Sequence, residues 1–248
     1  MRVAVFSDIH GNTFALDHIL ADIKDQRVDQ LVCLGDAIQG GPQPKETVEC
    51  LRELDCPIVM GNADAWLVTG VETGQELPPE RLKKLEAVRQ WSLTKLNDDD
   101  RAFISTFQST VTITLAADIE LLCFHGSPTS FDDVMVPDAP KEIFDKYLGA
   151  YINKILCGGH THAQQVRRHG KYFFFNPGSV GLAYSHYQPD GKFHVDPWAD
   201  YAILTAADSK IGLEFRRVPF DVNELIRIYL ASGRPFVEEA VDQYQSKT

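Results

Sequence analysis

Two carboxylates, four imidazoles and one carboxamide follow short apolar runs in this chain: Asp8 and His10 in Asp8-Ile9-His10, Asp36 after Gly35, Asn62 after Gly61, a lone His125, and His160 with His162 in Gly158-Gly159-His160-Thr161-His162. Singly these motifs say little. Asp-x-His is more often a solvated turn than a ligand pair, and Gly-Asp and Gly-Asn are ordinary turn dipeptides. His-x-His says somewhat more, because imidazole is the commonest neutral ligand and two at loop spacing can face one centre or two adjacent ones. As a set the seven offer only oxygen and nitrogen donors, which suits manganese, iron, cobalt, nickel or zinc. Seven exceeds what one tetrahedral catalytic centre with an open position uses, whereas a bridging carboxylate lets two centres share them. Such a pair of cations makes a nucleophile of water near neutral pH.

The elements that must position these groups are legible as a recurrent unit, an apolar run followed at once by potential ligands. It occurs at Val3 to Phe6, Leu31 to Leu34, Ile58 to Met60, Leu121 to Phe124, Ile155 to Cys157 and Phe173 to Phe175, the last leading into Asn176-Pro177-Gly178-Ser179. Runs of this kind suit strands buried on both faces, and open α/β sheets place their sites beyond the strands' C-terminal ends. Leu16, Ile19, Leu20 and Ile23 form one apolar stripe after a capping candidate at Asn12 or Thr13, and a second helix is expected from Pro44 to Leu54. This gives β-α-β-α-β over residues 1–60 with parallel pairing. A helix from Pro79 carries Leu82, Leu85, Val88, Trp91 and Leu96, and a shorter one carries Phe103, Ile104 and Phe107. Hairpins are expected at Thr110 to Phe124, through Ala116-Ala117-Asp118, and at Tyr201 to Val218, through Asp208-Ser209-Lys210. A last helix begins at the capping pair Asp221 and Glu224 and ends at Gly233. The loop between Ala183 and Asp200, rich in His, Tyr, Pro and Gly, is long enough to carry function.

The bulk properties narrow the class. With 248 residues, 44% hydrophobic and 24% charged, the chain has ordinary globular proportions. Its apolar runs fall far short of the roughly 20 residues that cross a bilayer, so no membrane partner is expected. The opening Met-Arg-Val-Ala-Val-Phe breaks at Ser7-Asp8, without the longer apolar core of a secretory signal. Five cysteines include no Cys-x-x-Cys, and Cys33, Cys123 and Cys157 sit inside apolar runs as buried thiols would. A cytoplasmic location is therefore expected. A net charge of −11 opposes a broad basic surface and with it binding to bulk nucleic acid. Arg167-Arg168 is too small a basic patch to alter that.

Taken in order, Asp8-Ile9-His10, Gly35-Asp36, Gly61-Asn62, His125 and Gly159-His160-Thr161-His162 resemble the pattern of the calcineurin-like metallophosphoesterases, particularly their small bacterial and archaeal single-domain branch. The segment Asn176 to Gly181 also resembles one common in that branch. The resemblance implies a four-layer α-β-β-α sandwich of two mixed central sheets, to which the residue pattern adds, within one domain over residues 1–248, a helical insert at about 78–108 and a C-terminal hairpin plus helix at about 201–233. It implies two divalent metal ions, one held by Asp8, His10 and His162 and the other by Asn62, His125 and His160, with Asp36 bridging. The implied activity is that of a metal-dependent phosphoesterase, a phosphodiesterase or nucleotide phosphohydrolase, acting on a small phosphorylated substrate such as a nucleotide. Asn62, His160 and Asp64 are the expected catalytic residues.

One position departs from the pattern. After the motif Asn the family often has a His that helps protonate the leaving group; here Ala63 follows, then Asp64. Asp64 either supports the ligands, touches substrate, or is an exposed acidic turn residue. His186 and His194 replace the missing donor only if their loop folds over the site, and are otherwise solvated. Substrates whose leaving group needs little protonation, aryl phosphodiesters or nucleotide anhydrides, are therefore expected to be favoured. Two other readings share the motif set: a scaffold of the same fold that binds protein partners, and a nuclease, which the acidic balance disfavours. Physiological substrate, native metal and oligomeric state are not readable from the sequence.

Overall fold

The computed structural model describes residues 1–71, 74, 77–188, 193–207 and 210–245. Its strands are β1 (Arg2–Phe6), β2 (Gln30–Cys33), β3 (Val111–Ala116), β4 (Ile119–Cys123), β5 (Ile155–Cys157), β6 (Gln165–His169), β7 (Tyr172–Asn176), β8 (Trp198–Ala207) and β9 (Lys210–Pro219). Its α-helices are α1 (Thr13–Lys24), α2 (Pro44–Leu54), α3 (Asn62–Thr69), α4 (Pro79–Lys95), α5 (Asp98–Ile104), α6 (Lys141–Leu148), α7 (Val222–Ser232) and α8 (Val237–Asp242).

β1 and β2 run parallel, Val3 opposite Gln30 and Phe6 opposite Cys33. Both faces of β1 are buried, which is why its run is continuously apolar. Ala4 and Phe6 meet Leu16 and Ile19 of α1 and Val48 and Leu51 of α2. Val3 and Val5 face the other way, with Val32, onto Leu121, Cys123, Ile155, Cys157 and Phe175 of a second sheet. α1 starts where Asn12 accepts the Ala15 amide at 3.0 Å, closing one of the donors a helix leaves open at its N-terminus.

The first sheet has the order β2-β1-β8-β9, with β8 antiparallel to β1 and β9 antiparallel to β8. The second has the order β3-β4-β5-β7-β6, parallel through β4, β5 and β7 and antiparallel at its margins. Both sheets are thus mixed. α6 covers the outer face of the second sheet, where Phe144 and Leu148 meet Phe124, Leu156 and Phe174. The succession of helices, sheet, sheet and helix is the four-layer sandwich.

Several expectations are corrected in detail. Ile58 to Met60 is no strand; it makes only isolated parallel bridges, Ile58 to Cys33 and Val59 to Gln108. Pro57 lacks an amide hydrogen, and the chain turns at Gly61 into α3, leaving too little length for a ladder. Short α3, α6 and α8 have too few turns to show a period, and none was anticipated. In α4 the stripe is buried only late: Leu82 is exposed, whereas Val88 is buried. There Arg89 donates to the Trp66 and Leu67 carbonyl oxygens at 2.9 and 3.0 Å. A cation at the C-terminal end of α3 satisfies open carbonyls and suits the helix dipole. Asp221 caps α7 through the Asn223 amide, and Gly233 ends it at φ 74°. Residues 208 and 209 of the expected second turn lie outside the described residues. No described helix is long and apolar enough to cross a membrane. Cys33, Cys123 and Cys157 are buried thiols.

Candidate metal centre

The loops leaving β1, β2, β4 and β5, together with the Gly61 turn, bring their polar groups to one place. Five of the seven expected ligands sit in the left-handed backbone region: Asp8 at φ 55°, His10 at 50°, Asp36 at 50°, His160 at 69° and His162 at 57°. For residues other than glycine this conformation costs on the order of 1–3 kcal/mol each and persists only where the surroundings impose it. Here they do. Asp8 N–H donates to Gly35 O at 2.9 Å, His10 N–H to Asp36 O at 2.8 Å and Gly11 N–H to Ala37 O at 2.8 Å. The loops can approach so closely because glycine stands at the contacts. A Cβ on Gly61 would strike the Asp36 amide and carboxylate, and one on Gly159 would strike Ser7 Oγ and Asp8 Oδ2.

The donor atoms fall into two groups, Asp8 with His10 and His162, and Asp36 with His125 and His160, each within 4.8 Å among its members. Three rings are oriented alike. His10 Nδ1 contacts Gln39 O at 2.8 Å, His125 Nδ1 contacts Leu34 O at 2.8 Å, and His162 Nδ1 contacts Leu182 O at 2.7 Å. A carbonyl only accepts, so each Nδ1 carries the proton and each Nε2 is turned to the cluster. In their neutral forms His10 and His162 therefore point lone pairs at each other across 3.2 Å. Asp8 Oδ1, buried and without a hydrogen-bond partner, stands 3.4 Å from His162 Nε2.

The two carboxylates are built on one plan. Asp8 Oδ2 accepts the His160 amide at 3.1 Å, which leaves Oδ1 for the first group. Asp36 Oδ1 accepts the Ala63 amide at 2.8 Å, which leaves Oδ2 3.4 Å from His125 Nε2 and 3.7 Å from His10 Nε2, between the two groups. Asn62 Oδ1 lies 3.0 Å from His125 Nε2 and so joins the second group. Crowded acceptors of this kind call for positive charge. Burial works against ionisation of His125, but the Asp36 carboxylate beside it prevails and pushes it up to about 9. Burial also opposes the charge on Asp36, yet His125, His10 and His160 hold its carboxyl well below the usual range. Asp8 is pushed up to about 6 by burial. Burial and neighbouring imidazoles push His160 down to about 4 and His162 well below its ordinary value. The residues present fit a pair of divalent cations: an orphaned buried carboxylate oxygen, imidazole Nε2 atoms turned to the cluster and a second carboxylate oxygen facing both groups. His10, Asn62 and His160 keep partial exposure, which marks the open side.

Asp64 is not the exposed turn residue that was one of its expected roles. It is fully buried in the first turn of α3, where its carboxylate accepts the Ala37 amide at 3.1 and 3.0 Å and the Ile38 amide at 3.0 Å. Burial and the Asp36 charge push it up to about 6 against those amides. It braces the loop that presents Asp36 and has no surface for substrate, so its expected catalytic contact is replaced by a positioning role.

The segment Asn176 to Leu182 closes the site from the far side. Asn176 Nδ2 donates to Gly159 O at 2.6 Å and Thr161 Oγ1 at 3.1 Å, and Ser179 Oγ donates to Asp8 O at 2.8 Å. The long loop does reach the rim. His186 Nε2 donates to Thr161 O at 2.6 Å, and the Tyr184 ring lies 5.2 Å from that of His162. His194 is held instead through its backbone by Gln188. Tyr184 and the carbonyl oxygens of Leu34, Gln39 and Leu182 were not anticipated. Any residue supplies a carbonyl, so residue types carry no signal for the last three.

Residues 1–195 match the family model of the calcineurin-like phosphoesterase superfamily domain. An uncharacterized protein of Methanocaldococcus jannaschii is 27% identical over 240 residues, spanning 90% of this chain and 89% of that protein. The chain superposes on a hypothetical protein from Pyrococcus horikoshii OT3 with a TM-score of 0.79 at 21% identity. It superposes on a metallophosphoesterase from Sphaerobacter thermophilus with a TM-score of 0.71 at 24% identity, 98% of each chain being covered in both cases. At such identities the likeness is one of fold.

Proposed function

We propose that this chain, which belongs to the calcineurin-like phosphoesterase superfamily, is a metal-dependent hydrolase of phosphodiesters or nucleotide anhydrides. The observation that carries this reading is Asp36 Oδ2, held free of backbone amides and facing imidazoles of both groups. Asp8, His10 and His162 would hold one divalent cation, Asn62, His125 and His160 the other, and Asp36 both. When bound, such a pair lowers the pKa of water and neutralises charge on phosphoryl oxygens.

The chain's own residues do the rest. Backbone carbonyls fix three imidazole tautomers, so no proton need be lost from those nitrogens when a cation arrives. Asp64 and Asn176 brace the loops that carry the ligands through buried hydrogen bonds, which limits the reorganisation that reaction requires. Proton delivery to the leaving group is where the site is poor: Ala63 has no proton to give, Asp64 is buried against two amides, and His186, although its loop reaches the rim, commits its Nε2 proton to Thr161 O. General acid catalysis is worth about 10²–10⁴-fold, and its weakness penalises basic leaving groups most. The acidic chain is suited to a small phosphorylated substrate rather than a polyanion, and its thiols are in keeping with the cytoplasm.

The test is a panel of phosphomonoesters, phosphodiesters and nucleotide anhydrides assayed with manganese, nickel, zinc and magnesium in turn. Aryl phosphodiesters and nucleotide anhydrides should turn over at least about 100-fold faster than alkyl esters. No turnover of any substrate with any metal would overturn the hydrolase reading, and equal turnover of alkyl and aryl esters would overturn the leaving-group claim alone.

A further inference from the structure

Beside the metal groups lies a set of rings that the hydrolytic chemistry does not use. Tyr184 packs on His162 with centroids 5.2 Å apart, on His186 at 5.1 Å and on Phe193 at 4.9 Å. Phe193 is 50% exposed, and Tyr184 against it is half-buried. Exposed aromatics are costly to solubility when clustered, and a cluster at the mouth of a polar site marks a ligand surface. The cluster is also braced. Asp196 N–H donates to Ala183 O at 2.7 Å, closing the base of the loop, and His186 donates to Thr161 O between His160 and His162. Leu182 O, two residues before Tyr184, orients His162 itself. The rings are thus registered to the reacting end of the site.

We propose that Tyr184, continued by Phe193, is a stacking shelf for the base of a nucleoside phosphate, and so sets the specificity of the hydrolase inferred above, on which reading this inference rests. Every base has a π-face, and stacking on one aromatic side chain needs no hydrogen-bond readout. The shelf begins one ring-to-ring step from His162 and extends outward by a second. A ring joined to phosphorus through a spacer, as ribose provides, matches that placement better than an aryl group bonded next to phosphorus. The leaving-group argument and the shelf agree on nucleotide anhydrides, which combine a base with a leaving group of low basicity.

The test is calorimetric binding of two uncleavable probes to manganese-loaded protein, the 5′-methylenephosphonate analogues of AMP and of ribose 5-phosphate. Wild type should bind the adenosine probe at least about 10-fold more tightly, the scale on which one stacking ring acts. Tyr184→Ala should bring that ratio to about 2 or less, while Tyr184→Phe keeps it and metal content stays equal in all three. A wild-type ratio near one, a ratio unchanged in Tyr184→Ala, or a ratio lost equally in Tyr184→Phe overturns the shelf. Selective binding without any hydrolysis overturns the hydrolase reading and leaves the shelf standing; hydrolysis without base preference does the reverse.

Discussion

The Asp64 carboxylate never faces solvent, yet the position of Asp36 depends on it, because the Ala37 and Ile38 amides end on its oxygens. In Asp64→Asn one oxygen becomes an NH₂ that confronts those N–H donors. We expect a loss of about 2 kcal/mol, seen as a Tm lower by roughly 4–8 °C, and metal affinity reduced about 10–100-fold in a titration. Asp36→Asn removes the oxygen that faces both groups. Residues that merely support a ligand cost about 10–100-fold, so activity should fall further than that and bound metal should drop below two equivalents. Full activity with two metals bound would remove the shared role. The six imidazole and carboxylate candidates that the structure gathers were legible from residue type, because such groups after apolar runs are few, whereas Asn62 stood out only as part of a Gly-Asn turn. The burial of Asp64 and the contact of Tyr184 with His162 were not, since each depends on a loop closing against distant backbone.

Between elements, the tie of α1 to β8 and β9 is electrostatic at Asp22. Arg216 donates to its carboxylate at 2.8 and 2.9 Å, and the Tyr201 hydroxyl donates as well. The Arg216 hydrogen bond, with help from Tyr201, holds Asp22 below its ordinary value of 3.8. A carboxyl depressed by folding lends stability above its unfolded pKa and loses it as pH falls through the folded one. The stability gap between wild type and Asp22→Asn should therefore be full at pH 7, shrink below about pH 4 and close in stronger acid, as denaturant titrations at stepped pH would show. A gap independent of pH would mean that packing, not charge, links these elements. At this scale the apolar runs announced β1, β2, β4, β5 and β7, while Ile58 to Met60 looked like them and forms only bridges. Local composition cannot show that Pro57 and Gly61 leave a run too little room to pair.

Across the whole molecule, strain and crowded acceptors at the site imply that metal and fold stabilise each other. Binding to the folded state alone contributes about 2.7 kcal/mol at a hundred times the dissociation constant, or roughly 5–10 °C in Tm for a chain of this size. Adding manganese should raise Tm by that amount and a chelator should reverse it; a Tm indifferent to both would show that the groups hold no ion. The parallel half of the architecture could be read from alternating strands and helices. The division into two sheets could not, because the apolar pattern of β8 is the same whichever strand it joins, and its partner β1 lies nearly two hundred residues away.

That last pairing has a temporal side. β1 leads directly to Asp8 and His10, but its second neighbour is β8, and the backbone oxygens of Ser7 and Asp8 are held by the amides of Val180 and Gly181. Asp8 and His10 thus wait for a strand that lies nearly two hundred residues further along the chain. Until β8 is made, a nascent chain carries these two side chains without the pairing that fixes the strand leading to them.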